Sequence, residues 1–185
     1  MIKDGKQFLF ECVKIGVLSI VLFLCIDTFV FSSYEVDGSS MATTLEDGDK
    51  LIVNKMRYEF GNISRFDIIV FQGMEDEDYV KRVIGLPGDV LEYRDDRLLI
   101  NGEYIQEPFL HSRLETTLLG QKETGDFKLE DLTEEAKVPE NTLFVMGDNR
   151  LNSYDSRHFG FVSVDDLIGK VSVRYWPFEK FYIDL

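Results

Sequence analysis

Ser40, Lys81 and the run from Gly147 to Arg157 hold the residue types in this chain that can do chemistry together. They offer a hydroxyl, an amine and a polar turn. A serine hydroxyl becomes a nucleophile when a neighbouring base takes its proton. Lysine is such a base only when desolvation brings its pKa from about 10.4 toward 7 to 8. On a strand, Lys81 shares a face with Tyr79 and Val83, and Arg82 shares one with Val80 and Ile84. Both faces are apolar, so alternation leaves open which basic residue points inward. Chemistry discriminates between them, because arginine keeps its proton at any usable pH and lysine does not.

Ser40 lies in Gly38-Ser39-Ser40-Met41-Ala42-Thr43-Thr44-Leu45. Gly38 permits an unusual backbone and close approach by a substrate strand. The run Gly147-Asp148-Asn149-Arg150-Leu151-Asn152-Ser153-Tyr154-Asp155-Ser156-Arg157 reads either as a surface turn or as a shell that orients the base. In the second reading Ser153 bonds Lys81, and Asp155 with Arg157 braces the turn. The two histidines, His111 and His158, stand in no recognisable motif, which disfavours a Ser-His-Asp triad. The sequence carries no zinc motif and no phosphate-binding glycine loop, and the chemistry calls for no cofactor.

The elements that must position these residues read as short strands from Tyr34 onward. Residues 50–54, 67–71, 79–84, 90–93, 143–146 and 170–176 are rich in β-branched and aromatic side chains. Asn101-Gly102, between residues 97–100 and 103–105, predicts a tight hairpin, and Leu86-Pro87-Gly88-Asp89 a turn. Residues 126–136 form a short helix or a loop. Residues 111–138 are the most polar stretch and read as a mobile insert. With 44% apolar and 29% charged residues in 185, the chain supports a packed core and one domain with an appendage.

The appendage is the apolar segment from Ile15 to Phe31, close to the lower length limit for a bilayer span, roughly 17 residues. Lys3, Lys6 and Lys14 precede it, and the next basic residue is Lys50, which predicts a cytoplasmic N-terminus and an outer domain beyond the membrane. A cleavable signal peptide and a buried core helix are the rival readings. No alanine follows the apolar core in an Ala-X-Ala pattern, and the segment is apolar on all faces, so an uncleaved anchor is favoured. The expected organisation is a tail and transmembrane anchor over 1–33 and an outer, mainly β catalytic domain over 34–185. Cys12 and Cys25 would stand about 20 Å apart on one helix, too far to bond each other. Charges within residues 1–31 cancel, so the outer domain holds the whole net charge of −14. That surface repels nucleic acid and leaves contact with the bilayer to the apolar segment.

The ordered motifs, Ser40-Met41 with Thr44-Leu45, Arg65 to Phe71, Lys81 to Asp89, and Gly147 to Arg157, resemble type I signal peptidases of the short, single-anchor Gram-positive type. The resemblance runs over most of residues 35–175. It implies a β-rich fold outside the membrane with Ser40 as nucleophile, Lys81 as general base, and Ser153 positioning Lys81. Asp155 and Arg157 would support the turn, with Asp148 and Arg82 beside them. Gly38, Ser39 and Met41 would shape the oxyanion loop, where the Ser40 amide donates. Some members carry a serine at the position of Gly38, and most carry proline at the position of Thr43. The implied clients are the cleavage regions of exported preproteins. The alternative is a related accessory factor that binds clients, or an assembly machinery for surface fibres or pili, without cutting.

Overall fold

Burial alternates along strand Lys50–Asn54, in which Leu51 and Val53 are buried and their neighbours half-exposed. Strand Ile68–Gln72 instead buries four successive residues, the mark of a strand covered on both faces. The computed structural model describes residues 5–29, 31–42, 44–55, 63–74, 77–110 and 122–183.

In chain order the elements are α1 (Gly5–Phe29), β1 (Phe31–Glu35), β2 (Lys50–Asn54), β3 (Ile68–Gln72), β4 (Asp78–Gly85), β5 (Leu91–Arg94), β6 (Arg97–Ile100), β7 (Glu103–Ile105) and β8 (Phe127–Lys128). There follow α2 (Leu129–Thr133), β9 (Thr142–Met146), α3 (Ser156–Phe159), β10 (Val162–Ser163), β11 (Leu167–Trp176) and β12 (Tyr182–Ile183). One sheet runs β1-β2-β11-β3-β4-β9-β10, with β12 also on β11; the second runs β7-β6-β5-β8. The strand pairs are antiparallel.

The six expected strands are all present, within a residue or two of their predicted ends except that β11 starts three residues early. Asn101 and Gly102 turn between β6 and β7 with φ of 53° and 84°, as the hairpin signal requires. The core has one layer between the two sheets, around Ile84, Tyr93, Leu98, Phe144 and Met146. A second lies under the Ser40 loop, around Val36, Met41, Leu45, Val53 and Val70. A third packs Ile69, Phe71, Val83, Leu143 and Val145.

Residues 111–121 lie outside the described residues, and 122–138 include β8 and α2, the latter within the 126–136 expected as a short helix or a loop. The Asp96 carboxylate accepts from the amides of Glu123, Thr124 and Gly125, which secures this polar stretch without many apolar side chains. The apolar segment also divides: α1 ends at Phe29, and Phe31 already belongs to β1, paired to Asn54. Among the described residues no helix is both long and apolar enough to cross a membrane. Phe8, Leu9, Leu18, Ile20 and Leu22 of α1 are exposed.

Candidate active site

Ser40 sits in a turn held from both ends. Leu45 donates its amide to the Met41 carbonyl at 2.8 Å, and Ala42 to Ser39 at 3.0 Å. Met41 and Leu45 are buried in the core beneath. Gly38 takes a φ of 90° and donates to Asp47 Oδ1 at 2.8 Å. From β11, Arg174 donates to the Thr44 carbonyl at 2.6 Å and to Asp49 Oδ2 at 3.2 Å. Among the described residues, the Ser40 amide has no acceptor, which leaves it available to a ligand.

β4 brings the base. Lys81 pairs with Ile69 of β3 and directs Nζ to within 2.7 Å of Ser40 Oγ, across 41 residues of sequence. Nζ also donates to the Val80 carbonyl at 3.2 Å and lies 5.5 Å from the Tyr79 ring centroid. Lys81 and Arg82 point to opposite faces, yet each is only 5% exposed, because this part of β4 is covered on both sides. Their partners differ. Arg82 makes a bidentate pair with Asp148, at 2.9 and 2.7 Å, and donates to the Phe66 carbonyl at 2.7 Å. Lys81 has no ion pair within 4.0 Å among the described residues. Burial brings its pKa down to about 8, against the opposing pull of Asp155 and Asp148.

The turn after β9 closes the site. Asn149 donates its amide to the Ser40 carbonyl and its Nδ2 to the Ser39 carbonyl, both at 3.0 Å, and Asn152 Nδ2 donates to Ser39 Oγ at 3.0 Å. Gly147 is required here: a Cβ would be built into Ser153 Oγ and the Ser40 carbonyl. Asp155 is fully buried and caps α3, accepting from Arg157 Nε at 2.8 Å and Nη2 at 2.9 Å and from the Gly147 amide at 3.0 Å. Burial works to raise the Asp155 pKa, but Arg157 and the Gly147 amide outweigh it and hold the group below its ordinary value.

The expected bond from Ser153 to Lys81 is not made. Ser153 Oγ is buried and without a hydrogen bond of good geometry among the described residues. It lies beside Gly147 and close enough to the Asp155 carboxylate to help hold that pKa down. Thr43 and His111 lie outside the described residues. His158 belongs to the α3 cap, its Nδ1 3.4 Å from the Asp155 amide, and not to a triad with Ser40. Sequence reasoning missed the grip of Asn149 and Asn152 on the Ser39-Ser40 backbone, although both stand in the run already singled out. It also missed Tyr93, Glu107 and Phe109, which gather around Arg150 and Arg82 and carry no motif.

A serine oxygen within hydrogen-bonding reach of a desolvated amine, with an unengaged amide at the serine, is the arrangement of a hydrolase that works through an acyl-enzyme. The comparisons narrow that class. The family model for signal peptidase, peptidase S26, matches residues 9–176, and the chain belongs to this family. It is 56% identical over 153 residues to signal peptidase I of Bacillus caldolyticus, covering 83% of this chain and 84% of that one. It is 45% identical over 157 residues to signal peptidase I V of Bacillus subtilis (strain 168), covering 85% and 93%. A crystal structure of a signal peptidase I from Enterococcus faecalis V583 superposes with a TM-score of 0.57 at 42% identity, covering 62% of this chain and all of that one.

Proposed function

We propose that this chain is a serine endopeptidase that removes signal peptides from exported preproteins, with Ser40 as nucleophile and Lys81 as general base. The observation that carries the reading is the 2.7 Å contact between Ser40 Oγ and a buried Lys81 Nζ that has no ion pair among the described residues. When Lys81 is neutral, the contact runs from the Ser40 hydroxyl to Nζ. Oγ attacks the scissile carbonyl carbon while its proton passes to Nζ. The oxyanion receives the Ser40 amide, an interaction whose loss in comparable sites costs about 2.7 to 4 kcal/mol. Nζ then protonates the leaving amine, and an ester to Ser40 remains. Water adds to the ester with its proton taken by Nζ, and Ser40 Oγ leaves and regains that proton.

The substrate lies extended along β4. This strand pairs with β3 over residues 78–82 and with β9 only from Arg82 onward, so among the described residues no strand pairs with the other edge of Asp78 to Val80, which leads to Lys81. Asp148 and Arg82 hold the turn that carries Asn149, and Asp155 with Arg157 holds its far end.

The enzyme is anchored by α1, with its N-terminus in the cytoplasm and residues 34–185 outside. Supporting this are the exposed apolar side chains of α1 and the exposed Trp176, Phe178, Phe181 and Tyr182. The exposure of those four aromatics argues against a core-packing role. An apolar groove of about 440 Å³ lined by Phe31, Ile52, Val173 and Tyr175 lies on the sheet where α1 enters. Aromatic rings of this kind favour a membrane interface. Neither the relatives nor the site favours a non-cleaving factor for fibre or pilus assembly.

The test is cleavage of a preprotein in detergent by the wild type, Ser40→Ala and Lys81→Ala. Loss of cleavage in both variants is expected; efficient cleavage by both would reject the mechanism.

A further inference from the structure

Arg150 stands one residue beyond Asn149, whose amide holds the Ser40 carbonyl. Its side chain is wholly buried, as is that of Glu107, and the two meet at 2.6 Å through Arg150 Nη2 and Glu107 Oε1. The Tyr93 hydroxyl, on β5 of the second sheet, donates to the same Glu107 oxygen at 2.6 Å and receives Arg150 Nη1 at 2.8 Å. Nη1 also donates to Thr124 Oγ1 at 3.0 Å, and Nε to the Gly147 carbonyl at 3.0 Å. Burial opposes the charge on Arg150, but Tyr93 and Glu107 more than compensate and raise its pKa. Phe109 joins the arrangement by packing over both buried guanidinium groups, 4.1 Å from Arg82 and 5.9 Å from Arg150.

The Gly147 to Asn149 turn is thus gripped from two sides. Arg82 holds the Asp148 carboxylate from β4, and Arg150, itself in the turn and tied to Tyr93 of the second sheet, holds the Gly147 carbonyl. Glu107 and Thr124 reach Arg150 from the two ends of a long excursion between β7 and β8. A buried charge with several bonds in fixed directions transmits position well, since few of its rotamers satisfy all of them.

We infer that Glu107, acting through Arg150 and seconded by the Tyr93 hydroxyl, is a positioning residue for the nucleophile: it sets the turn that fixes the Ser40 backbone, and with it the Ser40 amide. The second sheet is therefore part of the catalytic apparatus although it contributes no group that touches substrate. This inference rests on the proposed peptidase reading.

The experiment measures preprotein cleavage in detergent by the full chain, as kcat and KM per folded molecule, with the folded fraction taken from thermal unfolding. The variants are Glu107→Gln, Tyr93→Phe and Glu107→Gln/Arg150→Met. Misplacing a reacting group by about 1 Å can cost on the order of 100-fold. Glu107→Gln is expected to lower kcat about 10- to 100-fold with KM within about twofold of wild type, and Tyr93→Phe to fall between. The double variant removes the unpaired buried charge, so it is expected to regain thermal stability yet remain slow. Wild-type kcat per folded molecule in Tyr93→Phe and the double variant would overturn the inference, as would activity that returns in step with stability. If Glu107→Gln does not fold, those two variants still decide. A wild-type chain that cleaves nothing would reject the peptidase reading instead.

Discussion

Lys81 carries the cost of the site. Its pKa falls from the ordinary 10.5 to about 8 on folding, so below pH 8 the folded protein holds a buried ammonium with no carboxylate in ion-pair reach among the described residues. Each pKa unit is about 1.4 kcal/mol, so the penalty at neutral pH is on the order of 3 kcal/mol. Its sign follows from proton counting: between pH 8 and 10.5 the unfolded chain binds a proton that the folded one has released, so stability rises with pH across that window. Lys81→Met should therefore abolish cleavage and be more stable than wild type at pH 7, by about 1 to 3 kcal/mol. Denaturant melts at pH 7 and 10 check this, since the advantage should shrink at the higher pH. The kcat/KM of wild type should climb with pH along an acid limb centred near 8. Gly147 sets a steric limit. Gly147→Ala should lower kcat at least about 100-fold by pushing Ser40 or Ser153 aside. Steady-state rates per folded molecule would read this, and near-normal turnover would mean the turn has slack.

At the scale of elements, a single carboxylate joins the end of β9 to the start of α3. Asp155 caps α3, pairs with Arg157 and accepts from the Gly147 amide. Asp155→Asn keeps the shape but leaves the Arg157 guanidinium short of charge, with an expected loss of about 1 to 3 kcal/mol in stability. Its effect on the base has a definite direction. The Asp155 charge favours the protonated Lys81, so its removal lets the Lys81 pKa fall further. The residual activity of Asp155→Asn should then show its acid limb below that of wild type. A pH profile of kcat/KM tests this, and a limb that moved upward would show that burial, not charge, had changed.

Across the whole molecule, charge and apolar surface are separated. The excess negative charge belongs to the residues after Phe31, while many exposed apolar side chains stand on α1 and around Trp176 and Phe178, whose rings meet edge to face at 5.0 Å. Trp176→Ser with Phe178→Ser should reduce recovery of the chain with sedimented lipid vesicles at least twofold, and leave cleavage of a short soluble peptide within about twofold. Equal vesicle recovery would limit membrane contact to α1.

Much of the site could be read in the chain before folding. The strands followed from runs rich in β-branched and aromatic residues, the β6–β7 hairpin from two residues that tolerate positive φ, and the serine and lysine from their chemistry. Local signals of this kind depend on neighbours a few positions away. Burial on both faces of β4 does not, and it places Lys81 and Arg82 both inside, where Arg82 meets Asp148 and Lys81 has no ion pair among the described residues. The failure of Ser153 to reach Lys81, and the role of Glu107, 43 residues from Arg150, belong to the same kind of fact. Sequence alone determined which groups could react; only tertiary structure decided which of them are stripped of water and which are neutralised, because desolvation depends on atoms that distant parts of the chain bring together.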